Sequence, residues 1–396
     1  MTRRCSYLSL GLIMLLERNM KNVDKEAYSS NCFFALLRAG LWEQEVRLAP
    51  YGEIDFQAIL NLAEEQSVVG LLAAGIEHVV DGKPQKKDVL QFIGRTVQLE
   101  QKNQAMNYFI GVTVEKMREE RIYTLLVKGQ GVAQCYERPL WRACGDVDFF
   151  LSDDNYERAK AFLTPLASEV ESEYKGSKHL GMTIDPWVVE LHGSLRMGLP
   201  RRINDVLDEI QKETFSGGNV RTWDNDGTKV FMLGKENDAV YVFAHFFNHF
   251  YKGGLGLRQI CDWCRLLWTY RDTMDVTKVE TLVRRMGLVS EWKAFAALAV
   301  NDLGMPAEAM PMYDAAAKWS RKAERIKVFV MSVGNFGHNR DMSYYGKYPY
   351  LVRKSISMFQ RMMDLLNHAR IFPLDSLTFF PSILKNGLRS ALRGEG

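Results

Sequence analysis

Residues 122–151 interrupt a sequence whose apolar residues otherwise recur with helical spacing, and this interruption constrains the fold most. Tyr123–Val127 (YTLLV) followed by Lys128-Gly129-Gln130-Gly131 predicts a strand, a glycine turn and the start of a helix. Gly145–Leu151 (GDVDFFL) predicts a second strand. Further strands are predicted at residues 182–184, 187–191 and 228–233. The pattern therefore indicates a small sheet set between helical regions.

The helical spacing on either side of this core divides the chain. It predicts a helical domain over residues 20–119, an α/β core over 120–234 and a C-terminal helical domain over 235–396. We interpret residues 1–19 as an upstream extension or a mis-assigned start, because their short apolar stretch has no small-residue cleavage site after it. That stretch is also shorter than the roughly 20 apolar residues of a membrane span, so no transmembrane segment is predicted.

Composition says more about where the protein is located and what it binds than about its fold. Apolar residues make up 47% and charged residues 25% of the 396 residues, the usual balance of a soluble globular protein. The formal charge of +3 is too small to indicate a nucleic-acid partner. Six cysteines are few for this length, which favours reduced thiols and a cytoplasmic location over a disulfide-rich secreted fold.

Two acidic residues on the second predicted strand point to a metal. Asp146 and Asp148 are two residues apart, so alternation places both carboxylates on one face, with Val147 and Phe149 on the other. Two like charges held this close favour a divalent cation between them. Because Asp-x-Asp is also common at solvated strand ends, the pair alone does not identify a site.

Two other segments supply complementary groups. Lys128 and Gly129 lie between a strand and a helix, where backbone N–H groups and a lysine can hold a triphosphate. Glu190 lies on a later predicted strand with His192 on the same face, and would complete a carboxylate set. The structural alternative for Lys128 and Gly129 is an ordinary strand-to-helix turn. For Glu190 it is a half-exposed edge strand.

Taken in chain order, these segments resemble the uncharacterised bacterial nucleotidyltransferase family of the DNA polymerase β-like superfamily. The residues that carry the resemblance are Leu126–Gly129, Tyr136, Arg142, Gly145–Asp148 and Glu190–His192. The similarity is close over about residues 120–195 and extends loosely to His245, Arg258, Asp262 and residues 370–373. Gly129-Gln130 departs from the Gly-Ser or Gly-Gly that better-studied members carry in this turn.

The resemblance implies an α+β fold, with a small mixed nucleotidyltransferase-like sheet flanked by N-terminal and C-terminal helical regions. It implies transfer of a nucleoside monophosphate from an NTP, with ATP as the default, to an unknown acceptor hydroxyl. Asp146, Asp148 and Glu190 would be the catalytic residues and would hold Mg²⁺ or Mn²⁺. The implied nucleotide-binding residues are Lys128, Gly129 and Arg142, and the implied cleft-lining residues are His192, His245, Arg258 and Asp262.

Several of these residues also have structural interpretations. His245 and His249 lie one helical turn apart among phenylalanines, which favours packing in a core. Arg258 and Asp262 have the i,i+4 spacing of an ion pair on one helix.

Two other functions stay open at this point. A metal-dependent glycosyltransferase would use Asp-x-Asp to hold a metal and a sugar diphosphate, but it would begin with a strand, where this chain has helical spacing. A catalytically silent nucleotide-binding or adaptor protein would keep the fold and lack a carboxylate, whereas this chain has all three.

Overall fold

The computed structural model describes residues 31–173, 178–252, 254–334 and 350–378. Residues 1–19, expected to be an upstream extension, lie outside the described residues. The described chain forms two compact units. One contains residues 31–64 and 68–97, and the other contains residues 65–67 and those from 98 onward.

The first unit combines helices with one small parallel sheet. Its elements are α1 (residues 31–42), β1 (Val46–Arg47), α2 (Phe56–Glu65), α3 (Val69–Glu77), β2 (Val79–Asp81) and the first part of α4 (Lys86–Glu119). The sequence pattern does not predict β1 and β2, which pair with each other. Gly40 lets α1 approach α3 closely, because a Cβ there would lie 1.8 Å from the carbonyl oxygen of Leu71.

The second unit is built on a mixed sheet. Its strands are β3 (Thr124–Val127), β4 (Asp146–Leu151), β5 (Glu169–Val170), β6 (His179–Ile184), β7 (Trp187–His192), β8 (Val220–Asn225) and β9 (Thr228–Leu233). Their order in space is β5-β6-β7-β4-β3-β9-β8. β7 runs parallel to β4 and β9 parallel to β3, while the other neighbours in this sheet are antiparallel. The predicted α+β class, with helices around a mixed sheet, is confirmed.

Helices surround this sheet. They are α5 (Gly129–Ala133), α6 (Asp153–Leu163), α7 (Arg201–Gly217), α8 (Lys235–Lys252), α9 (Leu257–Tyr270), α10 (Val276–Met286), α11 (Val289–Asn301), α12 (Ala317–Val333) and α13 (Tyr350–Ala369). Phe243 of α8 lies in an aromatic core, with its ring centroid 5.3 Å from Trp263, 4.7 Å from Trp292 and 6.0 Å from Phe295. None of the described helices is long and apolar enough to cross a membrane.

The two faces of the sheet differ in polarity. Val147, Phe149 and Leu151 are fully buried on one face, in a core that α4 and α6 complete. The helical residues of this core are Met106, Ile110, Val114, Met117, Tyr156, Ala159 and Leu163. Because side chains alternate along a strand, Asp146 and Asp148 project from the opposite face. The apolar core thereby determines which way the carboxylates point.

Candidate active site

Three carboxylates meet on the polar face of the sheet. β4 and β7 are parallel neighbours, with Asp148 opposite Glu190 and Asp146 two residues earlier on the same face. One carboxylate oxygen from each of the three residues lies within 4.8 Å of the others. Asp148 is buried, whereas Asp146 and Glu190 are half-buried and line a cleft. Residues 44 positions apart in sequence are therefore brought together by the pairing of two strands.

This grouping concentrates negative charge. The charge of Asp148, together with burial, raises the pKa of Asp146 above its ordinary value. Burial also opposes ionisation of Glu190, but hydrogen bonds from His179 and His192 outweigh it and lower the pKa of Glu190. A set of carboxylate oxygens suits Mg²⁺ or Mn²⁺. The residues present thus fit the ion that the resemblance implies.

The turn between β3 and α5 places a lysine against the carboxylates. Lys128 adopts φ = 57°, in the left-handed region that few non-glycine residues occupy, and Gly129 follows at φ = 44°. Lys128 Nζ lies 2.8 Å from Asp148 Oδ1. Burial works to lower the pKa of Lys128, but the carboxylates, Asp148 above all, raise it overall. A helix of only five residues, such as α5, has a weak dipole. The ammonium of Lys128 is therefore the main positive charge at the turn.

Two histidines from the β6–β7 hairpin flank the carboxylates. His192 Nε2 lies 2.8 Å from Asp148 Oδ1 and 3.4 Å from Glu190 Oε2. Burial works to lower the pKa of His192, but these two carboxylates raise it. His179 Nε2 lies 3.1 Å from Glu190 Oε2. The imidazoles therefore hold the carboxylates in place from the side of the hairpin.

Helix α8 supplies two more histidines from the opposite wall. His245 Nε2 lies 3.1 Å from Lys128 Nζ and 3.3 Å from His249 Nε2. Burial and the charge of Lys128 lower the pKa of His245 well below its ordinary value. His245 is therefore neutral and accepts a hydrogen bond from the ammonium of Lys128. It lines the cleft instead of packing among the phenylalanines of α8.

Arg142, assigned to nucleotide binding by the resemblance, lies in a buried ion pair. Its Nε and Nη2 donate to Asp262 at 3.0 and 2.6 Å, and the Tyr136 hydroxyl donates to the same carboxylate at 2.8 Å. Arg258, the i,i+4 neighbour of Asp262, instead donates to the carbonyl oxygen of Ala143 at 3.1 Å. Arg142 Nη1 has no hydrogen-bond partner within the described chain. Arg142 therefore braces the segment before β4.

A cleft of about 560 Å³ contains these groups. The sequence-assigned residues that line it are Lys128, Gly129, Arg142, Asp146, Asp148, Glu190, His192, His245, Arg258 and Asp262. His179, Tyr241 and Lys252 also line it, and sequence reasoning does not single them out. His179 is missed because the predicted strand begins at residue 182. Its position opposite His192 follows only from the register of the hairpin.

Comparison with known proteins gives a result at the level of a family. No curated protein matches the sequence. A solved structure of an antigenic nucleotidyltransferase-like protein from Paracoccidioides brasiliensis aligns with 50% of this chain and 92% of that chain at 14% identity. The TM-score of this alignment is 0.30. A family described as uncharacterised nucleotidyltransferase matches residues 52–301, a range that includes every residue of the cleft. Since this range is well over half of the 396 residues, the chain belongs to that nucleotidyltransferase family.

Proposed function

We propose that the protein is a metal-dependent nucleotidyltransferase, which moves a nucleoside monophosphate from an NTP to an acceptor hydroxyl. The observation that carries this proposal is the meeting of Asp146, Asp148 and Glu190 within 4.8 Å, beside Lys128 in one cleft. Family membership supports the class of reaction. ATP as the nucleotide, the bacterial and DNA polymerase β-like assignment and the cytoplasmic location stay predictions from the sequence.

The roles of the acidic residues follow from their donor atoms. The three carboxylates would hold Mg²⁺ or Mn²⁺, which when bound lowers the pKa of an attacking hydroxyl and neutralises phosphate charge. In the transfer, the acceptor oxygen forms a bond to the α-phosphorus, and the bond from that phosphorus to the bridging oxygen of the β-phosphate breaks. Pyrophosphate leaves with the electron pair of the broken bond, and the proton of the acceptor hydroxyl passes to solvent.

The basic residues would hold the triphosphate. Lys128 carries a buried positive charge, and a triphosphate in the cleft would compete with Asp148 for its ammonium. His245, as a neutral acceptor, keeps that ammonium at the cleft wall. Arg142 is held by Asp262 and presents Nη1 as a donor for a phosphate oxygen. Arg258 adds a second guanidinium to the lining.

The experiment compares Asp148→Asn with Asp272→Asn, whose side chain is 80% exposed. Each protein is incubated with Mg²⁺ or Mn²⁺ and each NTP labelled at the α-phosphate, with a cell extract and the protein itself as acceptors. Label transfer and pyrophosphate release are measured, and melting curves check folding. We expect Asp148→Asn to lower the rate roughly 1000-fold, about 4 kcal/mol of transition-state stabilisation, and Asp272→Asn to leave it unchanged.

Each alternative gives a different result when nucleotide sugars are tested in the same assay alongside the NTPs. Full activity of Asp148→Asn would refute the assignment of the carboxylates. NTP binding by the wild-type protein without pyrophosphate release would indicate a silent nucleotide-binding protein. Release of a nucleoside diphosphate from nucleotide sugars, with no reaction of NTPs, would indicate a glycosyltransferase.

A further inference from the structure

We propose that His179, Glu190 and His192 form a second cation site in the cleft, which binds a borderline transition ion of the Zn²⁺ class. This site shares Glu190 with the carboxylate set described above. It does not depend on nucleotidyl transfer, because it is defined by ion binding alone. The two sites differ in their ligands, since one offers only carboxylate oxygens and the other offers two imidazoles and a carboxylate.

The local fold brings these three side chains to one face. A turn of two residues joins β6 to β7, and the resulting register places His179 directly opposite His192. The ring centroids of the two histidines are 4.8 Å apart. Glu190 lies two residues before His192 and therefore on the same face of β7. Three side chains that can bind a metal thus converge on a rigid hairpin.

The distances between the ligand atoms match those in a metal site. His179 Nε2 lies 3.1 Å and His192 Nε2 3.4 Å from Glu190 Oε2, and one ligand atom from each of the three residues lies within 4.8 Å of the others. Zinc bonds to nitrogen and oxygen of about 2.0–2.2 Å, at a tetrahedral angle, separate ligand atoms by roughly 3.3–3.5 Å. Only small movements of the side chains are therefore needed to accept an ion.

The chemistry of the donors selects the class of ion. Two imidazoles and one carboxylate, with a fourth position open to water, are the ligands of catalytic zinc sites. Imidazole nitrogen favours Zn²⁺ and neighbouring transition ions over Mg²⁺, which prefers oxygen. Because His192 Nε2 also lies 2.8 Å from Asp148 Oδ1, binding of the ion has to replace this hydrogen bond. The ion therefore competes with Asp148 for the same nitrogen.

Structurally, the imidazoles also have a simpler role, which is to position the carboxylates by hydrogen bonds. Binding of Co²⁺ distinguishes the two roles, because visible absorption reports imidazole ligands and low coordination number. Tag-free protein is titrated with Co²⁺ and Zn²⁺, by absorption and calorimetry, with Mg²⁺ as the comparison. His179→Gln removes a ligand of this site alone, and Asp146→Asn removes a ligand of the carboxylate set alone. His249→Gln, in the same cleft but in neither set, is the matched control.

We expect His179→Gln to weaken Zn²⁺ binding roughly 100-fold and to abolish the Co²⁺ absorption, with Mg²⁺ binding retained. Asp146→Asn should weaken Mg²⁺ binding and keep the Co²⁺ spectrum, and His249→Gln should change neither. Equal Zn²⁺ affinities of the wild type and His179→Gln would overturn the proposal. X-ray absorption of the zinc-loaded wild type and of zinc-loaded His249→Gln counts the ligands directly: two imidazoles in both proteins support the site, and oxygen ligands alone refute it. A protein that binds zinc in this way without transferring nucleotides would leave this inference intact and refute the proposed function.

Discussion

Replacing Asp262 by alanine tests how much the buried ion pair with Arg142, at the wall of the cleft, contributes to the stability of the protein. The side chains of Arg142 and Asp262 are 4% and 6% exposed, so the substitution leaves a buried guanidinium without its counter-charge. Removing one partner of a buried pair costs about 3–5 kcal/mol, and the Tyr136 hydroxyl loses its acceptor as well. We therefore expect the free energy of unfolding to fall by about 4 kcal/mol, measured by urea unfolding with tryptophan fluorescence.

Two further variants test the reason for this loss. Arg196 and Asp208 form a pair of similar two-bond geometry, but their side chains are 48% and 39% exposed. Asp208→Ala should therefore cost less than about 1 kcal/mol. The double variant R142M/D262L removes both buried charges and should be clearly more stable than Asp262→Ala. Equal costs for Asp262→Ala and Asp208→Ala would show that burial is not the cause.

The pH dependence of this pair has a defined sign. Burial works to raise the pKa of Asp262, but the charge of Arg142 and its hydrogen bonds lower it overall. A lowered folded-state pKa means that the contribution is complete above the ordinary carboxyl pKa and is lost as the pH falls through the folded-state value. The difference in stability between wild type and Asp262→Ala should therefore shrink only below roughly pH 4.

Lys128→Met keeps a long side chain without its charge, and we expect kcat/KM for the NTP to fall roughly 100-fold in steady-state kinetics. An unchanged value would remove Lys128 from the proposed function. Gly40→Ala places a Cβ 1.8 Å from a carbonyl oxygen of α3 and should lower the free energy of unfolding by about 1–3 kcal/mol; Gly94→Ala, with open space around it, should not. Burial and Asp375 raise the pKa of Glu291 to about 9, so the wild type loses stability as the pH rises from about 4.5 towards 9. The melting temperature of Glu291→Gln relative to wild type should therefore increase between about pH 6 and pH 8.5, and parallel melting curves would contradict this assignment.

The α+β class and the direction of the carboxylates could be predicted because both depend on local periodicity. In residues 146–149 (DVDF) aspartates alternate with apolar residues. Because Val147 and Phe149 are buried on one face of the sheet, the side chains of Asp146 and Asp148 have to point to the opposite face. The strands β5 and β8 were not predictable in this way. Val170 is the only apolar residue of β5, and in β8 polar residues stand on both faces.

Two features of the cleft that the sequence did not predict both depend on contacts between residues far apart in the chain. Arg142 pairs with Asp262, 120 residues away, while the spacing along α9 points to Arg258 as the partner. His179 becomes a neighbour of His192 only through the register of a hairpin. In both cases packing decides among several partners of suitable charge, and spacing along the chain does not rank them. The domain limits at residues 119 and 234 stay predictions.

Asp148 already has two nitrogen partners, since Lys128 Nζ and His192 Nε2 each lie 2.8 Å from its Oδ1. These partners satisfy the buried acid, so the polypeptide can mature and persist while divalent ions are scarce. If the carboxylates hold a metal as proposed, loading would be a late, reversible exchange, in which the arriving ion displaces an ammonium or an imidazole. On the proposed function, activity would then follow the supply of free divalent ions, without a change in the amount of folded protein.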